Sequence, residues 1–92
     1  MQEADALRAL AALAQPTRLK VFALLSGSPA GMGAGDIAEA IGVPQNLMSA
    51  HLAVLSRAGL VSSIKLGRAV VYKAETAAAD SLCGFLHDLR GA

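Results

Sequence analysis

Between Asp36 and Gln45 a helical pattern stops and another starts, with only Gly42 and Val43 separating them. Ile37 and Ile41 stand one turn apart on the same face of the first segment, and Gly42 ends it. Pro44 opens the second segment, because its ring fixes a helical φ and its missing N–H would have no partner in a first turn. So short a connection folds two helices sharply against each other, the arrangement of a helix-turn-helix. The chain is 92 residues long, enough for one domain spanning residues 1–92 and its modest core.

The remaining elements follow from periodicity. Residues 5–14 are nearly all helix formers, with Leu7, Leu10, Ala11 and Ala14 at helical spacing. Pro16 fits the first turn of a second helix over 17–25, where Leu19, Val21, Phe22, Leu24 and Leu25 cover more than one face and predict a central core helix. Residues 26–35 hold four glycines, a proline and two serines and are expected to be a loop. They lack the Lys-Ser/Thr and the preceding strand of a phosphate-binding loop, so a connector is the reading. Short helices are predicted over 36–41 and 45–58, the latter ended by Gly59. The period then changes. Residues 60–66 and 69–74 carry Val61, Ile64, Val70, Val71 and Tyr72 on either side of Gly67-Arg68, a β-hairpin. From Glu75 a last helix carries Leu82, Phe85, Leu86 and Leu89 as one apolar stripe. The expected fold is mainly α with a small hairpin, a winged helix-turn-helix in the order four helices, two strands, one helix. Aromatic content is 3% with no Trp, so further apolar surface is expected to be buried against a second copy, as a homodimer.

The charges are lopsided. Between Ala40 and Ala74 lie Arg57, Lys65, Arg68 and Lys73 and no acid, against four bases and all seven acids elsewhere, +4 beside −3. A basic half on a nearly neutral chain suits phosphate contact. On the helix starting at Gln45, Met48, Leu52 and Leu55 cluster on one side, while Asn46, Ala50, Ala53 and Arg57 point away and Gln45 and Ser49 flank the open side. A solvated face ordinarily carries Lys and Glu; this one carries amides, a hydroxyl and alanines. Small residues let a helix lie deep in the major groove, and Gln or Asn can bind adenine bidentately. Gln45, Asn46, Ser49 and Ala50 are therefore the candidate base readers, with His51 at the border of the core side as a packed or DNA-proximal histidine. Lys65 and Arg68 at the hairpin tip are candidate backbone contacts. The plainer alternative is an amphipathic helix half-buried under another element, or a winged helix used only for protein interaction.

Leu13-Ala14-Gln15-Pro16-Thr17-Arg18-Leu19-Lys20-Val21, Ser49-Ala50-His51-Leu52 and Leu55-Ser56-Arg57-Ala58-Gly59-Leu60-Val61, with Gly67-Arg68 to Tyr72, resemble the ArsR/SmtB family over nearly the whole chain. The resemblance implies a dimer joined through the first and last helices, binding to double-stranded operator DNA as a repressor, and release by an inducer, in many members a metal or metalloid. The metal-binding patterns of that family are missing here. The positions matching a Cys-x-Cys pair are Gly33 and Gly35, Asp80 is followed by Leu82 rather than His, and no cysteine pair follows Phe85-Leu86. What remains is Asp80, Cys83 and His87 at i, i+3 and i+7 on one side of the last helix. Across a dimer axis Cys83 and His87 could complete a tetrahedral site or a redox-sensing one, whereas a lone cysteine ordinarily just fills space. No cofactor is expected. No nucleophile elbow, carboxylate pair or cofactor loop supports catalysis or a hydrolase. No apolar run approaches the ~20 residues that span a bilayer, and Glu3 and Asp5 precede any base, the reverse of a secretory leader, so a cytoplasmic protein is expected.

Overall fold

The computed structural model describes residues 1–91. Its elements run α1 (Glu3–Leu13), α2 (Pro16–Ser26), α3 (Ala34–Ile41), α4 (Gln45–Arg57), β1 (Val61–Leu66), β2 (Ala69–Ala74) and α5 (Thr76–Gly91). The two strands pair antiparallel from Val61↔Ala74 to Leu66↔Ala69. The loop between them is Gly67-Arg68 with Gly67 at φ +62°, the glycine-first pattern of a tight hairpin. No helix among the described residues is long and apolar enough to cross a membrane.

The core gathers one face from each helix. Val21 and Leu25 of α2, Ile37 of α3, Met48, Leu52 and Leu55 of α4 and Leu60 after it are fully buried, and Leu82 of α5 closes one side. Leu60 also joins elements through its backbone: its N–H donates to Leu55 O at 3.0 Å and its carbonyl accepts from Glu75 N at 2.8 Å, tying the end of α4 to the start of α5. The α1–α2 corner is fixed by side chains. Gln15 Oε1 caps α2 by accepting from Arg18 N–H at 2.8 Å, and Arg18 Nε donates to Ala12 O at 2.7 Å.

One packing expectation needs correction, at Leu19 of α2, while the apolar residues of α1 and α5 divide between the core and the outside. In α1 the buried residues are Ala6, Ala9 and Ala12, while Leu7, Leu10, Ala11 and Ala14 face outward, Leu7 at 60% exposure. The alanines let the α1 backbone lie close to α2 and α4, and the leucines are left on the far flank. In α2 Leu19 is exposed rather than core. In α5 the stripe is buried only at Leu82 and half-buried at Phe85, with Leu86 and Leu89 exposed.

The loop over 26–35 is shorter than expected and is partly ordered as β-structure. Met32 and Tyr72 exchange backbone hydrogen bonds of 2.8 and 3.0 Å, laying the segment along β2, and α3 begins at Ala34 with Gly33 as its N-cap. The close approach requires glycine one residue earlier. Gly31 has φ +84°, and a β-carbon there would meet Val71 Cγ1 at 2.4 Å and Tyr72 O at 2.8 Å. Gly31→Ala is accordingly expected to cost about 2 kcal/mol or more, from strain and overpacking together. The melting temperature should fall by roughly 8–16 °C. A fall of a degree or two in a thermal melt would show that the segment does not pack on the wing.

Candidate nucleic-acid interface

The turn between α3 and α4 is built from backbone. Gly42 is left-handed at φ +82°, and its N–H and that of Val43 both donate to Ala38 O, at 2.8 and 3.1 Å, capping α3. Pro44 is the N-cap of α4, and its carbonyl accepts from Met48 N at 2.9 Å. With Ile37 and Ala38 of α3 and Met48, Leu52 and Leu55 of α4 all in the core, both helices are held rigidly and the opposite side of α4 is fixed in its direction.

That opposite side is uncovered. Gln45, Asn46, Ser49, Ala50, Ala53 and Arg57 are all exposed. Gln45 lies beside α3, where a β-carbon on Gly35 would be 3.4 Å from its Oε1. Ser49 Oγ donates to Gln45 O at 3.0 Å, which commits its proton to the helix and leaves its lone pairs as acceptors. His51 differs from its neighbours: it is half-buried, and its Nδ1 is 3.4 Å from Arg18 Nη1. A guanidinium only donates, so this contact is a hydrogen bond in the tautomer that keeps Nδ1 as the acceptor.

Two participants escaped the sequence reading. Leu47 is 51% exposed beside Asn46 and Ala50, an apolar side chain on a polar face. At about 100° per residue it lies more than 100° from the Met48, Leu52 and Leu55 centre, a signal the sequence did contain. Arg18 links α1, α2 and α4 through Ala12 and His51, and no spacing rule shows that.

On the wing, Lys65 and Arg68 are exposed at the hairpin tip, with Leu66 between them at 61% exposure. Lys73 is half-buried, its stem lying over Gly31, where a β-carbon would meet Lys73 Cγ at 2.9 Å. The exposed cations Arg57, Lys65 and Arg68 thus lie within a stretch of the chain, between Ala40 and Ala74, that holds no acid. Asp80, Cys83 and His87 are all exposed on α5, and no three His, Cys, Asp or Glu side chains converge to hold a metal within one chain among the described residues.

A turn of two residues, a rigid uncovered helix and an adjoining basic wing make up a winged helix-turn-helix. A helix-turn-helix domain family matches residues 13–64, more than half of the chain. The transcriptional repressor SdpR of Bacillus subtilis is 37% identical over 65 residues, covering 71% of this chain and 70% of SdpR. The chain belongs to the ArsR/SmtB family of transcription regulators. The HTH-type transcriptional regulator NmtR of Mycobacterium tuberculosis is 43% identical over 63 residues, 68% of this chain, which spans about half of NmtR's length (51%). An ArsR-like transcriptional regulator from Rhodococcus sp. RHA1 superposes with a TM-score of 0.88 at 27% identity, covering 96% of this ArsR/SmtB-family chain and 81% of that one. The homodimeric winged helix-turn-helix DNA-binding domain of Mb0332 from Mycobacterium bovis gives 0.76 at 25% identity, over 94% and 79% of the two chains.

Proposed function

We propose that the protein is a homodimeric, sequence-specific DNA-binding repressor that leaves its operator when an inducer binds. The uncovered small-residue face of α4 carries this reading: it is fixed by the core behind it, open in front, and free of long charged side chains from Gln45 to Ala53, with Arg57 only at its far end. Gln45 and Asn46 present amides to base edges. Ser49 accepts a hydrogen bond, Ala50 lets the helix backbone approach closely, and Leu47 lies where a thymine methyl can contact it. Lys65 and Arg68 grip phosphates from the wing, and His51 can donate from Nε2 to the backbone at the groove's edge while Arg18 holds its other nitrogen.

The dimer in this proposal uses α1 and α5, where Leu7, Leu10, Leu86 and Leu89 are exposed and where the Mb0332 domain, a homodimer, has the same fold. Two copies of α4 would then address half-sites about one DNA turn, ~34 Å, apart in an imperfect palindrome. A protein with this task works in the cytoplasm, as one domain over residues 1–92.

The division of labour is testable by anisotropy titrations on matched and scrambled duplexes over a range of salt. Arg68→Ala should weaken all duplexes alike and reduce the salt slope by about one unit per half-site, whereas Asn46→Ala should cost about 1–3 kcal/mol on the operator alone. Identical behaviour of the two variants would refute the assignment, and salt-independent or absent binding by the intact protein would favour a protein-interaction module.

A further inference from the structure

Three arginines meet in one cleft away from the base-reading end of α4. Arg8 of α1, Arg18 of α2 and Arg57 of α4 line a cavity of about 260 Å³ whose other walls are Val54 and three alanines. An adjoining depression shares Arg8 and Arg57 and adds Asp5. Arg8 pairs with Asp5 at 2.6 Å, the one ion pair among the described residues. Three cations and one carboxylate leave a net +2 at the cleft.

The three guanidiniums are not equivalent. Arg18 is half-buried and immobilised, with Nε on Ala12 O and one Nη1 proton directed at His51 Nδ1, which leaves three of its five N–H donors without an assigned partner. Arg57 makes no ion pair and no side-chain hydrogen bond among the described residues. Like charges drawn into a shared concavity repel unless an anion lies between them, and the planar guanidinium fork matches carboxylate and phosphate oxygens. The rest of the wall is apolar, and the volume is close to the lower end of ligand pockets, about 300 Å³.

We propose that this cleft is the binding site of a small organic anion, a carboxylate or phosphate group on a compact apolar body, and that its occupancy lowers the protein's affinity for DNA. The anionic group is held between Arg18 and Arg57, with Arg8 at the rim, and the apolar body lies against Val54 and the alanines. Arg57 shares the direction of Asn46 and Ala50 around α4 and stands about 16 Å beyond Asn46 and about 10 Å beyond Ala50 along its axis. An anion held there puts negative charge at the end of the surface that accommodates the DNA backbone, and neutralises the one cation that α4 itself carries on that side. Because the coupling is a free energy between two sites, DNA lowers the anion's affinity by the same factor. The regulatory half of this proposal rests on the DNA-binding reading; the binding half does not.

The test is calorimetric titration of the full chain with phenyl phosphate and benzoate, and with inorganic phosphate as a head group lacking the apolar body. One site per chain is expected, with inorganic phosphate the weakest of the three. Arg57→Ala should weaken phenyl phosphate at least about tenfold, the usual size of losing a charge-assisted hydrogen bond. Lys20→Ala removes the same charge from the exposed side of α2 and should leave binding within about twofold. Circular dichroism checks that both variants fold. Equal losses in the two variants, or no saturable binding of either organic anion, would overturn the site. So would an Arg57→Ala variant that loses DNA affinity in a protein that binds no small anion, since the cleft would then serve a DNA phosphate. Saturable binding together with unchanged operator affinity would overturn the regulatory half, and saturable binding by a protein with no DNA affinity would overturn the repressor reading while leaving the site standing.

Discussion

Ala50→Glu is expected to abolish operator binding while leaving the fold intact. Ala50 is exposed at the middle of the open face of α4, so the longer side chain meets no protein atom of its own chain, and Glu is nearly as good a helix former as Ala. The free-state cost should be within about 0.5 kcal/mol, the usual range for an exposed position. On DNA the same side chain would bring a carboxylate into a groove walled by phosphates and hold the helix off the base edges. Losing close approach removes the amide contacts of Gln45 and Asn46 together, each bidentate pair being worth about 1–3 kcal/mol, before any repulsion is added. The expected loss is at least about a hundredfold per half-site, read by anisotropy at fixed salt beside an unchanged thermal melt. Ala53→Glu, one turn further on, should behave similarly but less severely. Retained binding by Ala50→Glu would mean that α4 does not enter the groove.

How much of this was legible in the sequence depended on whether a feature was local. The helix-turn-helix was readable because Gly42 and Pro44 punctuate the chain, and the left-handed φ of Gly42 is what that punctuation encodes. The hairpin was readable because β-branched residues flank a Gly-Arg loop. The open face of α4 was readable because Met48, Leu52 and Leu55 fix which side turns inward. The Met32–Tyr72 bridge was not, since one residue pairing across a distance leaves no period in the sequence. Nor was the contact of Arg18 with Ala12 and His51, which exists only because α1, α2 and α4 cross where they do.

In α1 and α5 the limit is of another kind. Both helices are apolar on more than one side, and periodicity names apolar faces without saying which one the chain's own core takes. In α1 it takes the alanines, and the leucines are left over; in α5 it takes Leu82 and leaves Leu86 and Leu89. The residues most easily read as core are thus the ones left facing outward, as expected of a domain whose core is completed by a second copy.

That surplus leads to the largest expected effect. Leu7 and Leu89 are 60% and 61% exposed, so most of their side-chain surface remains to be covered. Completing the burial of a leucine that is already partly covered is worth about 1 kcal/mol or more, and two-fold symmetry counts each position twice. The double substitution Leu7→Glu with Leu89→Glu should therefore remove about 4 kcal/mol of association energy, and add the cost of four carboxylates brought near one another. A dimer dissociation constant raised about a thousandfold or more is the expected result in sedimentation velocity. Operator affinity should fall with it, because a monomer engages one half-site and loses the effective concentration that the partner supplies. A duplex carrying a single half-site separates the two effects: the variant and the parent protein should bind it equally, since neither substitution touches α4 or the wing. A variant that stays dimeric would place the interface elsewhere, and a monomer that still binds the full palindrome as tightly as the parent protein would remove the dimer from the mechanism.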